Sequence, residues 1–339
     1  MKENLHKLLV FFMCVSFVHI GAQKLTIKID SLLWLASKSS EKQDFNKSII
    51  FSNEALKLSQ KNTYLPGIAG SYYRIAHSLC TLEKYRESLD YIVDFENKYG
   101  YYLDRDLKLK ADFKDLLGRN YSILGFKDEA VNQCNDELSI SRLLDRDSLK
   151  YAGMFRSYLQ LTAVYQGTKN DSVYHYLNKA KTISSKISKS ELPIFYYNLA
   201  FYHIHNTKNL DSSSYYNIKA LAFDIGNKSK YLSLGILQKA DIEYMQKKYD
   251  ESLVSSFDGL QLAKKQKRID HVLEAYNYIA RNYKELGDYQ NQARYLGLYT
   301  GIKDSISKVR LDGVQSSANI IVSNNKKQIV KDGQRLTKN

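Results

Sequence analysis

The stretch Tyr276–Tyr289, reading YNYIARNYKELGDY, decides the fold. Spacings of three and four place Tyr276, Ile279, Ala280 and Tyr283 on one helical face. Gly287 suits the left-handed position just past a helix end, and Asp288 suits the cap of a second helix. The stretch therefore reads as a helix–turn–helix unit in which Ala280 lets two helices approach closely.

Working outward from Ala280, small residues recur at Ala36, Ala76, Gly118, Thr162, Ala200 and Ala240, at intervals of 38 to 44 residues. Positions not used to choose this register test it. Four residues earlier stand Leu32, Tyr72, Lys114, Tyr158, Tyr196, Ile236 and Tyr276, and only Lys114 breaks the pattern. One residue earlier stand Leu35, Ile75, Leu117, Leu161, Leu199, Lys239 and Ile279, where only Lys239 does. Nine residues after the small position come Phe45, Tyr85, Tyr249 and Tyr289, followed by Ser48, Ser88, Ala130 and Ser252 at the next contact point. Self-similarity at a fixed period marks a repeat array, in which no unit buries its apolar face alone. In this register Gly118→Leu overpacks a helix junction by about 1–3 kcal/mol.

On these residues the array resembles tetratricopeptide repeats (TPRs) over about residues 25–303. Leu117-Gly118, Tyr121, Gly125 and Ala130 match that family's pattern, as do Ile279-Ala280, Tyr283, Gly287 and Tyr289. The resemblance implies an all-α fold, an α-solenoid of about seven helix–turn–helix units winding as a right-handed superhelix. Units of ~40 residues exceed the family's ~34 and call for longer helices. Such units resemble the exported sensory half of Bacteroidetes-type TPR/LuxR-like regulators, but this chain departs from that plan after Lys303. No membrane span or DNA-binding helix pair is visible there.

The remainder of the sequence sets bounds. Residues 1–22 read as a secretory signal: Lys2 and Lys7, then the apolar run Leu8–Ile20, then Gly21 and Ala22. Cleavage after Ala22 is expected, leaving a periplasmic or extracellular protein. An uncleaved membrane tether is the alternative. Met13 argues against lipid attachment at Cys14. Cys80 and Cys134 fall in different repeats and are not expected to pair. The formal net charge of +14 is dispersed, which reads as a lysine-rich surface rather than a nucleic-acid face. Residues 23–303 form the array. Residues 304–339 are expected to cap it and end in a polar, disordered tail.

The sequence contains no phosphate loop, paired-cysteine zinc spacing, nucleophile elbow or zinc-protease helix. No catalytic residue, cofactor or metal site is expected. His203 and His205, two apart on a helix, point away from each other and are poor co-ligands. The resemblance instead implies a concave groove lined by the first helix of each unit. Its lining positions are Tyr73, His77, Arg119, Ser122, Gln166, Tyr197, Phe201, His205, Asp241, Tyr244, Asn277, Arg281 and Lys284. Tyr197, Phe201 and Tyr244 would form an aromatic centre, with Arg119 toward one end and Arg281 and Lys284 toward the other. Aromatic and arginine residues anchor protein interfaces. The expected role is a non-enzymatic scaffold for a protein or peptide of acidic or C-terminal carboxylate character. The alternative is the extracytoplasmic sensory part of a truncated TPR regulator.

Overall fold

The computed structural model describes residues 23–227 and 231–336. The expected signal, residues 1–22, lies outside them. Helix follows helix: α1 (23–41), α2 (Phe45–Lys61), α3 (Leu65–Thr81), α4 (Tyr85–Tyr99), α5 (Leu107–Leu124), α6 (Lys127–Arg142) and α7 (Asp147–Tyr165). The second half continues with α8 (Asn170–Ile183), α9 (Leu192–Tyr202), α10 (Leu210–Asn227), α11 (Leu232–Met245), α12 (Tyr249–Lys265), α13 (Ile269–Glu285) and α14 (Tyr289–Leu336). No strand occurs among the described residues. The fold is an all-α, TPR-like helical solenoid.

The repeat register holds residue by residue. Ala36, Ala76, Thr162, Ala200, Ala240 and Ala280 are all buried at 1% exposure or less, and Gly118 is buried too. Phe45, Tyr85, Tyr249 and Tyr289 are the first residues of α2, α4, α12 and α14. Gly287 adopts φ +79°, and Asp288 Oδ1 accepts from Asn291 N at 3.0 Å, so the turn and cap read from the sequence are both present. The small residue also serves a polar purpose. Ser88 Oγ donates to Ala76 O (2.9 Å), Ser213 Oγ to Ala200 O (3.0 Å) and Ser252 Oγ to Ala240 O (2.7 Å). Only a side chain no larger than a methyl lets the second helix come close enough for its serine to reach that carbonyl.

The chain divides into two compact units. The described residues up to Leu109, together with those from Gln315 to Leu336, form unit 1, and those of Lys110–Val314 form unit 2. In unit 1, α2 packs on α3 and α3 on α4, with Ile29, Leu32, Leu33 and Ala55 in one core cluster. In unit 2 the first helices α7, α9, α11 and α13 touch one another in succession and make one continuous face. Two cores lie behind it, one around Phe155, Leu161 and Leu177 and one around Leu237, Leu260 and Ile279.

Helix α14 runs through the segment expected to cap the array, where Ile306 is buried, and continues to Leu336 where a disordered tail was expected. The stretch contains no proline, and lysine, glutamine and arginine lose little rotamer freedom in a helix. No helix among the described residues is long and apolar enough to cross a membrane.

Candidate functional site

Three consecutive first helices of unit 2 bring most of the expected lining residues together. Asp241, on α11, is 2% exposed and lies at the meeting point. Its Oδ2 is 3.2 Å from His205 Nε2, in the π turn His203–Thr207 that follows α9, and its Oδ1 is 3.4 Å from Arg281 Nη1 on α13. Phe201 and His205, one turn apart, hold their rings tilted by 47° with centroids 4.1 Å apart. The Arg281 guanidinium lies over the Tyr244 ring at 4.1 Å and approaches Tyr278 at 5.6 Å. Tyr244 Oη donates to Glu285 Oε1 at 3.2 Å.

Tyrosine rings from two helices flank the Arg281 guanidinium, and a long hydrogen bond to Asp241 tethers it. Arg281 is half-buried, with Asn277 four residues before it and Lys284 three after on the same helix. The surroundings are charged on both sides. Glu274 keeps an exposed edge yet is recessed among protein atoms; that desolvation, with the Asp270 and Asp241 charges, pushes its carboxyl up to about 7. Burial, then Asp241 and Glu274, raises the Tyr278 hydroxyl well above its ordinary value.

The other expected positions fall elsewhere. Tyr197 is a correction, being 2% exposed and outside any groove. Its ring fills the space left by Gly235 on α11, and its hydroxyl donates to buried Asp224 at 2.6 Å. Burial and that carboxylate raise its pKa far above a normal tyrosine's. Arg119 is half-buried and bound to Asp115 at 2.9 Å. Ser122 and Gln166 are half-buried, and Gln166 caps the end of α7. Tyr73 and His77 belong to unit 1, where their rings stand 6.0 Å apart.

Two polar clusters escaped the sequence reading. In the first, Arg156 on α7 reaches Asp112 (3.2 Å) and Asp115 (3.8 Å) on α5 and Glu137 (3.0 Å) on α6. Glu137 is fully buried and binds Ser157 Oγ at 2.6 Å; burial, then the Asp115 charge, pushes its carboxyl up to about 8. The readable signal was helical spacing, since Asp112, Asp115 and Arg119 lie three and four apart on one face. In the second, Ser233 Oγ stands 2.7 Å from His271 Nδ1 and donates to Gln266 Oε1 at 2.5 Å, while His271 Nε2 is 3.7 Å from Asp270. The trio has the composition of a nucleophile triad. However, Ser233 is fully buried and its proton is committed to Gln266, so a substrate cannot reach it. Burial pushes His271 down to about 4, leaving it neutral.

His203 and His205 diverge as expected, the first stacking on Tyr216 and bonding Thr207, the second turning to Asp241. Cys80 and Cys134 are both buried and do not pair with each other.

No family model matches the chain, and no curated protein matches it in sequence. Solved structures do match its fold. The Rap conjugation gene regulator of plasmid pLS20, in complex with the Phr* peptide, superposes with a TM-score of 0.64 at 16% identity, over 86% of this chain and 78% of that one. A Rap protein complexed with competence and sporulation factor gives 0.57 at 13% identity, over 85% and 99%. BtubC (BKLC) from P. vanneervenii gives 0.50 at 15% identity, over 67% and 92%. At these identities the likeness concerns the fold.

Proposed function

We propose that this chain is a non-enzymatic scaffold that binds a peptide, or an extended segment of a protein, on the first-helix face of unit 2. The partner presents a carboxylate, either acidic side chain or C-terminus, to Arg281. The observation carrying this reading is the half-buried Arg281 guanidinium 4.1 Å from the Tyr244 ring and 5.6 Å from the Tyr278 ring, with a long 3.4 Å bond to Asp241. Such a fork matches a carboxylate in two-point fashion. Phe201 adds apolar contact beside it, and Lys284 a second positive charge. That two similarly folded Rap proteins were captured with a peptide or factor supports a peptide partner. The signal-like residues 1–22 support an exported protein meeting its partner outside the cytoplasm.

An array of immobilised peptides, each with a free or an amidated C-terminus and with acidic or neutral side chains, tests this reading. Losing a charge-assisted bond is worth about 1.5–3 kcal/mol, so Arg281→Ala weakens the bound peptides roughly tenfold to a hundredfold. Removing the guanidinium also leaves buried Asp241 with His205 alone, so the variant's melting temperature falls and binding is compared where both proteins are folded. Binding indifferent both to Arg281 and to peptide carboxylates refutes the proposal.

A further inference from the structure

Inside unit 2 the array shows how one repeat seats the next. Leu260 and Ala263 of α12 pack with Val272, Ala275 and Ile279 of α13, and Asn282 Nδ2 donates to Ser252 Oγ at 2.8 Å. Forty residues on, α14 offers the corresponding face. Ala293, Leu296, Gly297 and Thr300 stand where Leu253, Ser256, Phe257 and Leu260 stand on α12, yet all four are exposed. A Cβ built at Gly297 or at Gly301 meets nothing within 4 Å. Glycine inside a helix is destabilising relative to alanine, and no close approach among the described residues explains either one.

The complementary face is on α1. By the repeat register, Ser31 and Leu35 stand where Ala275 and Ile279 stand on α13. Leu35 is 37% exposed, and Ile27 and Trp34 beside it are 58% and 59% exposed. No helix covers this face among the described residues. One surface therefore carries bulky apolar side chains at the positions a first helix uses to receive the preceding repeat. The other carries a low ridge at the positions a second helix uses to receive the following one.

We propose that copies of this chain associate head to tail, with α1 of one copy seated on α14 of another in the geometry of an interior repeat junction. The two faces differ, so the contact is heterologous, and each copy keeps one free end. One helix pair falls at the small end of specific interfaces, below ~1,200 Å² in total. Association is correspondingly weak, with a Kd of about 10 μM to 1 mM.

Sedimentation velocity on the full chain from about 1 μM upward tests the proposal. The weight-average mass is expected to rise with concentration and to pass that of a dimer without a plateau. Two variants break opposite faces. Gly297→Gln fills space that is open in the single chain, so it keeps or raises the melting temperature while blocking the ridge. Trp34→Glu places a charge on the other face. Each alone stays monomeric at concentrations where the parent associates. Mixed, they form a one-to-one complex and nothing larger, because each retains the face the other lacks. A parent that stays monomeric up to about 1 mM overturns the proposal. So does an association that survives either single variant, which would mean α1 on α1 or α14 on α14.

Discussion

Replacing Gly235 with alanine tests the packing behind the candidate site. An ideal Cβ there overlaps Tyr197 Oη and stands 2.6 Å from its Cζ and 2.7 Å from Leu221 Cδ2. The ring cannot easily retreat. It is 2% exposed, its hydroxyl is bound to Asp224, and its backbone carbonyl accepts from Gln238 Nε2 at 2.9 Å. Gln238 Oε1 in turn accepts from Asn217 Nδ2 at 3.1 Å, and Asn217 also donates to Gly235 O at 3.0 Å. Overpacking a filled site costs about 1–3 kcal/mol, and losing a buried hydrogen bond to a carboxylate about 1.5–3. Gly→Ala returns about 0.5–1 in helix propensity. The net expectation is a loss of about 2–4 kcal/mol, read as a lowered midpoint in urea followed by circular dichroism. The double-mutant cycle with Tyr197→Phe sharpens the test. Removing the overlapping oxygen relieves part of the clash, so the second substitution costs less in the alanine background, by about 1 kcal/mol or more. If Gly235→Ala is neutral or stabilising, as for a solvent-facing helical glycine, then α9 and α11 do not close on one another as described.

Gly118→Leu is expected to lose about 1–3 kcal/mol, because its Cβ would stand 2.8 Å from Gln160 Oε1 and 3.3 Å from Cys134 Sγ, which bond each other at 3.1 Å; an unchanged melting temperature contradicts the register. Glu137 has a folded pKa of about 8, above its unfolded value of 4.5. Its contribution to stability is thus complete below pH 4.5 and is lost as pH rises through 8, by a few kcal/mol. Glu137→Gln, which removes the titrating group and keeps one of the two acceptor oxygens, should flatten that decline in pH-dependent melts. His271 runs the other way. With a folded pKa of about 4 against 6.5 unfolded, it leaves stability intact above pH 6.5 and withdraws about 3 kcal/mol as pH falls through 4. A His271→Gln variant whose acid unfolding matches the parent's would rule this out.

The sequence made the spacing of the fold legible, because close helix approach demands small residues and a 40-residue register repeats that demand. It could not place Tyr197. Lying three before Ala200 implies a lining position, but the gap at Gly235 on a different helix admits the ring, and that gap becomes visible only when α9 and α11 are paired. Asp241, Tyr244 and Arg281 were legible as neighbours on a face. That Asp241 is buried behind Arg281 was not, since burial depends on three helices converging. Tyr278 was missed although it sits three residues before Arg281 on the same helix, where stacking is available. Glu137 and Arg156 went unread because a charged residue at a contact position looks like a failure of the pattern until its partners on α5 and α7 are known.

Asp241 also gives the site a resident competitor. Any incoming carboxylate must share or displace the hold that Asp241 has on Arg281, and a displaced Asp241 would be left at 2% exposure with His205 as its remaining partner. Uncompensated burial of that kind is costly. Small, well-hydrated anions such as chloride offer too little in return. A ligand that engages the fork at two points, and brings apolar surface to Phe201, can meet the cost. If Arg281 receives a carboxylate as proposed, the affinity threshold is set before any ligand arrives, and selectivity follows from what a ligand must outcompete as much as from what it touches.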